Sequence, residues 1–213
     1  MFHLPPSTKV QKVIPKNAFD NYTNSKQKKA FADKVLRITW ANKIATDTVN
    51  LQRNDIQEIQ VFKIELKEQL VIKELLAIID KAIPYPIIFW IEYDGACYLS
   101  ASAKHAHPQN EDNAVIDYTF STDWLNKDEV PYQIVLKNKL DWVFKNFCEQ
   151  LNDNQTQTQT KTLTELVSTQ KEKENLDKKI ARLQSEISRC RQFNKKVELN
   201  IKLKALEEKR KLL

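Results

Sequence analysis

The chain has 213 residues, of which 41% are hydrophobic and 29% charged, enough for one ordinary domain with an appendage. It contains a single glycine, Gly95. Phosphate-binding loops need two or three glycines in one turn, because only glycine lacks the Cβ that would clash with the ligand. The composition therefore argues against Walker-type ATPases and GTPases and against classical dinucleotide-binding enzymes.

The charge is unevenly placed along the chain. Residues 162–213 carry a net charge of +6 and residues 1–45 carry +7, whereas residues 46–161 carry −7. Such an asymmetry favours anionic partners or contact between the ends and the middle, although lysine-rich helices are often just solvated. The basic residues expected to contact nucleic acid are Lys9, Lys12, Lys16, Lys28, Lys29, Lys178, Lys179, Arg182, Arg189, Lys195 and Lys196.

Cellular location follows from three observations. Cys97, Cys148 and Cys190 are odd in number and far apart, which is typical of free thiols in a reducing compartment. The first residues, MFHLPPSTKV, lack the apolar stretch of a signal peptide. No apolar run approaches the length of a membrane span. We therefore expect a cytoplasmic protein.

The first part of the chain predicts an arm followed by helix and strand. Residues 1–24, rich in Pro, Lys and Asn, predict an extended basic arm. A helix is expected from about Ser25, capped by Asn24 or Ser25, because Phe31, Val35 and Ile38 recur at helical spacing. Strands are expected over residues 47–51 and 56–66, and a helix over 70–83.

The middle of the chain predicts a central strand and a hairpin. Residues 86–93 (PIIFWIEY) form a nearly continuous apolar run, typical of a strand buried on both faces. Asp94–Gly95 is a strong signal for a tight turn into a return strand over residues 96–103. A polar loop (105–113), a strand (114–121) and a helix opening at Pro131 follow. Residues 25–151 are thus predicted as an α+β domain with a mostly antiparallel sheet covered by helices.

The C-terminal part predicts a coiled coil. Residues 152–160 (NDNQTQTQT) lack apolar groups and predict a polar linker, and residues 161–213 contain no proline or glycine. The apolar residues recur in heptads, with Ile180, Ile187 and Ile201 at position a and Leu176, Leu183, Cys190 and Val197 at position d. Isoleucine at a and leucine at d favour a parallel homodimer, and an asparagine at a, here Asn194, fixes its register. The same pattern also fits a helix folded back on its own domain. The expected partner-binding residues are Leu176, Ile180, Leu183, Ile187, Cys190, Asn194, Val197 and Ile201.

One constellation could carry chemistry. Asp47 followed by Glu65-x-Lys67 resembles the arrangement of restriction-type nucleases, in which two acids hold Mg²⁺ and the lysine activates water. Because Glu-x-Lys is a common tripeptide, this metal-dependent nuclease is the alternative reading. His105 and His107 are two residues apart, but a metal site needs three or four ligands, so we expect solvated histidines. In the main interpretation, in which the protein binds partners and is not an enzyme, we predict no catalytic residues, no metal and no cofactor.

Five segments together resemble a bacterial family of unknown function that is typically encoded beside a helicase and a DNA methyltransferase. They are KVIPKNAF, RITWANKIATDTVNL, IQEIQVFKIELK, IDKAIPYPIIFWI and RQFNKKVELNIKLKALE. The resemblance implies a non-enzymatic accessory or adaptor subunit of a restriction-like or phage-defence complex. Its partner would be a helicase or methyltransferase subunit bound through the coiled coil, and DNA would be bound through basic segments. Lys104 stands where the family has a Tyr-Lys pair, and the tyrosine is missing here.

Overall fold

The computed structural model describes residues 1–152 and 162–212, with the backbone alone for residues 110–112. The chain separates into two compact units, Met1–Gln155 and Thr156–Leu213, which we call the body and the helical unit. The predicted linker, residues 152–160, lies outside the described residues except for Asn152.

The body consists of a sheet with helices. Its described strands are β1 (Lys9–Ile14), β2 (Val35–Ala45), β3 (Glu58–Leu66), β4 (Ile87–Tyr93), β5 (Ala96–His107), β6 (Asn110–Ser121) and β7 (Leu125–Asn126). Its described helices are α1 (Ser25–Lys34), α2 (Thr46–Val49), α3 (Lys73–Ala82) and α4 (Leu140–Gln150). Short 3₁₀ segments occur at Pro6–Thr8 and Lys16–Tyr22.

The strands follow the order β1-β2-β3-β4-β5-β6, with β7 beside β5. Neighbouring strands run antiparallel except β3 and β4, which are parallel with Phe62 opposite Phe89. A parallel pair needs a crossover connection, and α3 lies in the connection between these two strands. The predicted α+β body with a mostly antiparallel sheet and helices is confirmed.

The core lies on both faces of the sheet. Because side chains alternate along a strand, Phe62 and Ile64 of β3 point to the face that packs with α1 and α3. Val61 lies on the opposite face, the side of Trp90, where the ring of Phe2 packs edge-on against both Trp90 and Phe147 of α4. The predicted central strand β4 is confirmed, with Ile87–Ile91 fully or almost fully buried.

Two local predictions in the first third of the body are wrong. Helix α1 begins behind the predicted Asn24 cap, whose side chain accepts from Gln27 N, but it ends at Lys34. Val35 and Ile38 belong to strand β2. Their spacing from Phe31 is helical, but it spans the end of α1 and the start of a run rich in β-branched residues, which favour a strand. The segment predicted as a strand from Asp47 begins instead in helical turn α2, which Asn50 ends in the left-handed conformation.

The hairpin after β4 is longer than its sequence suggests. Asp94 and Gly95 both have positive φ, as expected for the tight turn. Strands β5 and β6 then continue through the stretch predicted as a polar loop, so that His105 and His107 lie in β5. An alternation of histidine with alanine, as in residues 105–107, does not predict a strand.

The edges of the body also differ from prediction. Within residues 1–24, predicted as an extended arm, Lys9–Ile14 pairs with β2 as an edge strand of the sheet. Helix α4 begins at Leu140 rather than at Pro131. Its buried residues include Leu140, Val143, Phe144 and Phe147, which recur at helical spacing.

The helical unit contains α5 (Leu163–Arg189) and α6 (Phe193–Leu212), separated by residues 190–192. Thr162 caps α5 through a capping box with Glu165. The short connection and the ion pairs between the two helices define an antiparallel helical hairpin. The tail is helical as predicted, but two helices replace the single helix expected over residues 161–213. No helix in the described ranges has both the length and the apolar character that a bilayer crossing requires.

Candidate functional site

The residues of the predicted nuclease site do not come together. Asp47 lies beyond the end of β2 where Ala45 faces Glu58, and it is ion-paired with Lys43 at 3.6 Å. Glu65 lies at the other end of β3, seven positions further along a strand that rises about 3.3 Å per residue. Lys67 Nζ donates to Ala32 O at 2.7 Å. Asp47 and Glu65 therefore cannot share one metal ion in this arrangement.

Glu65 instead belongs to a charged cluster at the carboxyl ends of β3 and β4. Arg37 donates two hydrogen bonds to Glu65, at 3.0 and 2.7 Å. Lys63 lies 2.7 Å from Glu92, which is opposite Glu65 in register, and 3.5 Å from Glu65. The hydrogen bond from Arg37 lowers the pKa of Glu65, because it stabilises the carboxylate. Two acids and two bases neutralise one another here, so the cluster orders the sheet surface.

The histidines of the β5–β6 hairpin have protein partners. His105 Nδ1 lies 2.9 Å from Asp117 Oδ2, and His107 Nδ1 accepts from the backbone N–H of Gln109. Among the described side chains, those of residues 1–109, 113–152 and 162–212, no group of three or more His, Cys, Asp or Glu is placed to hold a metal ion.

A buried ion pair fastens the end of α3 to the sheet. Asp80 and Lys104 lie 3.0 Å apart, and each side chain is 1% exposed. Lys104 Nζ also donates to the carbonyl oxygens of Asp80 and Ile83, both at 2.8 Å. Ser102 Oγ donates to the other Asp80 carboxylate oxygen at 2.7 Å and lies 3.0 Å from Thr119 Oγ1.

The electrostatics of this pair reflect its burial. Desolvation raises the pKa of Asp80 and lowers that of Lys104, because burial penalises both charged forms, while each partner opposes the shift. The ammonium group lies at the carboxyl end of α3, where helix carbonyls lack intrahelical partners. The Lys104 ammonium group donates to three acceptors and so holds the end of the helix in place. None of its N–H groups is free, and the amine is not available as a nucleophile.

Sequence reasoning singled out Lys104 only through the family resemblance and missed Asp80. A signal was present: Asp80 follows Leu76 by four positions on the apolar side of α3. Lys104 lies two positions beyond Ser102 on the same side of β5. A charged residue on each of two buried faces requires a buried partner, so the pairing itself could have been anticipated.

Two hollows on the surface of the body have charged side chains in their lining. One, of about 710 Å³, is an open cleft beside α2 lined by Lys43, Asp47, Arg53 and Glu58. The other, of about 380 Å³, is lined by Phe2, Trp90, Lys127, Asp128, Tyr132 and their sequence neighbours. Both mix acidic and basic side chains without convergent catalytic geometry, and neither defines a substrate.

The predicted partner-binding stripe is divided by the hairpin. On α5, Leu176 is buried, and Ile180, Leu183 and Ile187 are half-buried, as is Cys190 in the connection. On α6, the predicted heptad residues Asn194, Val197 and Ile201 are exposed. The apolar α6 side chains that are buried or half-buried are Leu199, Leu203 and Leu206. The break at residues 190–192 shifts the helical phase, so that α6 turns a different stripe toward α5.

Ion pairs flank the seam between the two helices. Lys209 lies 2.8 Å from Glu172, and Arg210 lies 3.1 Å from Asp177. Lys173, which interrupts the heptad, is buried. Burial lowers its pKa, and the charge of Arg210 acts in the same direction.

The predicted nucleic-acid residues are distributed over both units. In the body, Lys9, Lys12 and Lys29 are exposed, Lys28 is ion-paired with Asp20, and Lys16 Nζ donates to Val35 O. In the helical unit, the exposed basic residues are Lys178, Lys179, Arg182, Arg189, Lys195 and Lys196. The body alone does not gather them into one site with convergent geometry.

Comparison with known proteins gives a family without an assigned activity. The family model described as "Domain of unknown function (DUF4391)" matches residues 2–209. The chain belongs to this family. No curated protein matches, and no solved structure matches. The DUF4391 match runs through both the body and the helical unit.

Proposed function

We propose that the protein is a non-enzymatic accessory subunit of a bacterial restriction-like or phage-defence complex. It would bind a helicase or DNA methyltransferase subunit, with assembly depending on coiled-coil contacts made by its C-terminal helices. The partner classes come from the resemblance of the five sequence segments. The proposed setting is the cytoplasm, where the free thiols of Cys97, Cys148 and Cys190 stay reduced.

One observation carries the assembly part of this proposal. Phe193 is 79% exposed and Ile201 is 66% exposed on the same side of α6. Isolated apolar side chains on a surface are normal, but a row of them along one helix marks a place where another helix packs. Because the helical unit leaves this row of apolar side chains uncovered, we infer that the row packs against a helix of another protein chain.

The basic segments support a second part of the proposal, contact with DNA. Lys9 and Lys12 lie exposed on the edge strand β1, and Lys178, Lys179 and Arg182 lie exposed on α5. Lysines and arginines on phosphates give sequence-independent binding that weakens steeply with salt, because counterions are released. An affinity for duplex DNA that stays flat between about 50 and 300 mM salt would contradict this part.

Co-purification tests the proposed function. The tagged full chain is co-expressed with the helicase and methyltransferase encoded beside it in its host, and the eluate is analysed by mass spectrometry. We expect one of these subunits to co-elute and to be lost from the double variant Val197→Gln/Ile201→Gln. Leu36→Gln is the matched control, because Leu36 is 55% exposed in the body. Retention of the partner by a chain lacking residues 162–213 would contradict the assignment of binding to the helical unit.

A further inference from the structure

Helix α6 has two apolar sides. Leu199, Leu203 and Leu206 lie on the side that is buried or half-buried in the hairpin. Phe193, Val197, Ile201 and Leu212 fall within about 100° of arc on roughly the opposite side of the helix. We call these four residues the outer stripe; they are 79%, 43%, 66% and 82% exposed. Since one side already contacts α5, the outer stripe is available to a helix from another molecule.

The charges beside the outer stripe are balanced. At 3.6 residues per turn, Lys196, Lys204, Lys211, Glu198, Glu207 and Glu208 are the charged residues that border it or lie within it. Lys209 and Arg210 are already paired with Glu172 and Asp177 of α5. Although α6 as a whole has an excess of basic residues, the surface around the outer stripe has no net charge. A neutral surface with mixed signs fits a partner of the same composition.

We propose that the outer stripe packs against the outer stripe of a second copy of this chain, with the two α6 helices antiparallel and crossing near Ile201. This inference rests on the proposed function, in which the helical unit mediates assembly, and identifies the first partner as a second copy. The two hairpins then form one helical assembly. The exposed faces of α5, with Lys178, Lys179 and Arg182, remain outside for a different subunit or for DNA.

The antiparallel direction follows from the charges along α6. With the crossing at Ile201, Lys196 of one copy lies within one residue of the level of Glu207 of the other, on the same flank of the stripe. Val197 lies opposite Ala205. A parallel pair would place the two basic final turns, Lys209–Lys211, side by side and align both helix dipoles, which is unfavourable. The antiparallel pair keeps these turns at opposite ends.

Sedimentation of the purified full chain is the first test. A few apolar side chains per copy make a small interface, so we expect a dimer with a Kd on the order of 10 μM, visible at about 100 μM protein. Ile201→Gln is expected to weaken the dimer at least about tenfold, a loss of about 1.4 kcal/mol. The control Leu36→Gln should leave it unchanged. A monomer at this concentration, or a dimer that Ile201→Gln does not weaken, would overturn the proposal.

Cysteine cross-linking tests the direction. In a Cys190→Ser background, Ile201→Cys is expected to form an intermolecular disulfide on mild oxidation, since disulfides require Cα atoms within about 7 Å. Phe193→Cys should not cross-link, because eight residues of helix on each copy separate the two positions by about 24 Å along the axis. Cross-linking of both variants would mean a parallel pair and would overturn the proposed arrangement, and so would cross-linking of Phe193→Cys alone.

The inference and the proposed function fail separately. Both tests above use the purified chain without other subunits, so they report only on self-pairing. A monomeric chain that still co-elutes with a helicase or methyltransferase through the outer stripe would refute self-pairing and support the accessory function. A dimer that never co-elutes with either subunit would support self-pairing and refute that function.

Discussion

Two ion pairs, one in each unit, join structural elements in opposite environments. In the body, the Asp80–Lys104 pair is 1% exposed on each side and is surrounded by further hydrogen bonds. In the helical unit, the Lys209–Glu172 pair is 57% and 45% exposed. A buried pair is costly to break because the remaining charge stays in a medium of low dielectric constant, whereas water replaces a lost surface partner.

The apolar side chains differ in the same way. The body has two apolar faces covered by helices, with residues such as Phe89 and Phe144 fully buried. The helical unit has one thin seam and an uncovered stripe on α6. The body therefore contains the interactions for independent stability, and the helical unit contains those for assembly. The comparison predicts that the same kind of substitution has a large effect in one unit and a small one in the other.

Thiol reactivity should show the largest contrast. Cys97 and Cys148 of the body are 0% exposed, whereas Cys190 in the connection between α5 and α6 is half-buried. Burial also raises the pKa of Cys97 to about 11, which keeps it protonated at pH 8. We expect one thiol of the native chain to react quickly with DTNB at pH 8 and the other two at least about 1,000-fold more slowly.

The control is Cys190→Ser, which should remove the fast phase. In denaturant, all three thiols of the unchanged chain and both remaining thiols of this variant should react. Fast reaction of either remaining thiol in the folded variant would show that the body opens readily, and would break the comparison between the two units.

Loss of the buried lysine should cost the most stability. Lys104→Met leaves Asp80 buried without its cation, and we expect the free energy of unfolding to fall by about 3–5 kcal/mol. Urea unfolding followed by tryptophan fluorescence measures the body selectively, because Trp40, Trp90, Trp124 and Trp142 all lie in it. The double variant Asp80→Leu/Lys104→Met should be more stable than the single variant. A loss below about 1 kcal/mol for the single variant would contradict the structural role of the pair.

Tyr98→Phe should have an intermediate effect. The Tyr98 hydroxyl accepts from the backbone N–H of Ile72 at the start of α3 at 3.0 Å, so its removal leaves a buried donor unpaired. We expect a loss of about 1–3 kcal/mol at neutral pH. The same fluorescence-detected urea unfolding applies.

The pH dependence of Tyr98 supplies a second measurement. Burial raises the pKa of Tyr98 to about 12, above its ordinary value of 10. A raised pKa means that the folded state binds this proton more tightly, so its contribution is complete below pH 10 and is lost as pH rises through about 12. The stability difference between wild type and Tyr98→Phe should therefore shrink over this window. A difference that grows would contradict the assigned environment.

The sequence predicted the body best where a sequence pattern lies within a single secondary-structure element. Strand β4 and the Asp94–Gly95 turn were predicted because an apolar run and a left-handed turn each depend on adjacent residues. The helix expected to continue through Ile38 was wrong, because Phe31, Val35 and Ile38 share a spacing that crosses from α1 into β2. Periodicity cannot show where one element gives way to the next.

The tail and the buried pair show what local patterns cannot give. The heptad from Leu176 to Ile201 is regular, yet residues 190–192 lie between two helices, so Val197 and Ile201 turn outward. Asp80 and Lys104 are 24 residues apart and meet only because α3 packs on the strand that carries Lys104. Contacts between distant residues depend on the topology of the sheet, which composition and spacing do not determine.

The smallest effect should come from the surface ion pair of the helical unit. Lys209→Ala removes the contact with Glu172, but both side chains are about half exposed, so water solvates the remaining carboxylate. We expect α5 and α6 to lose less than about 1 kcal/mol, measured by hydrogen exchange of peptides from residues 163–212. Raising the salt concentration should shrink even this difference, because exposed charges are screened. A loss as large as that of Lys104→Met would mean that the seam between α5 and α6 depends on its charged border more than on Leu176 and Leu199. The stability of the helical unit would then depend on ion pairs as strongly as that of the body does.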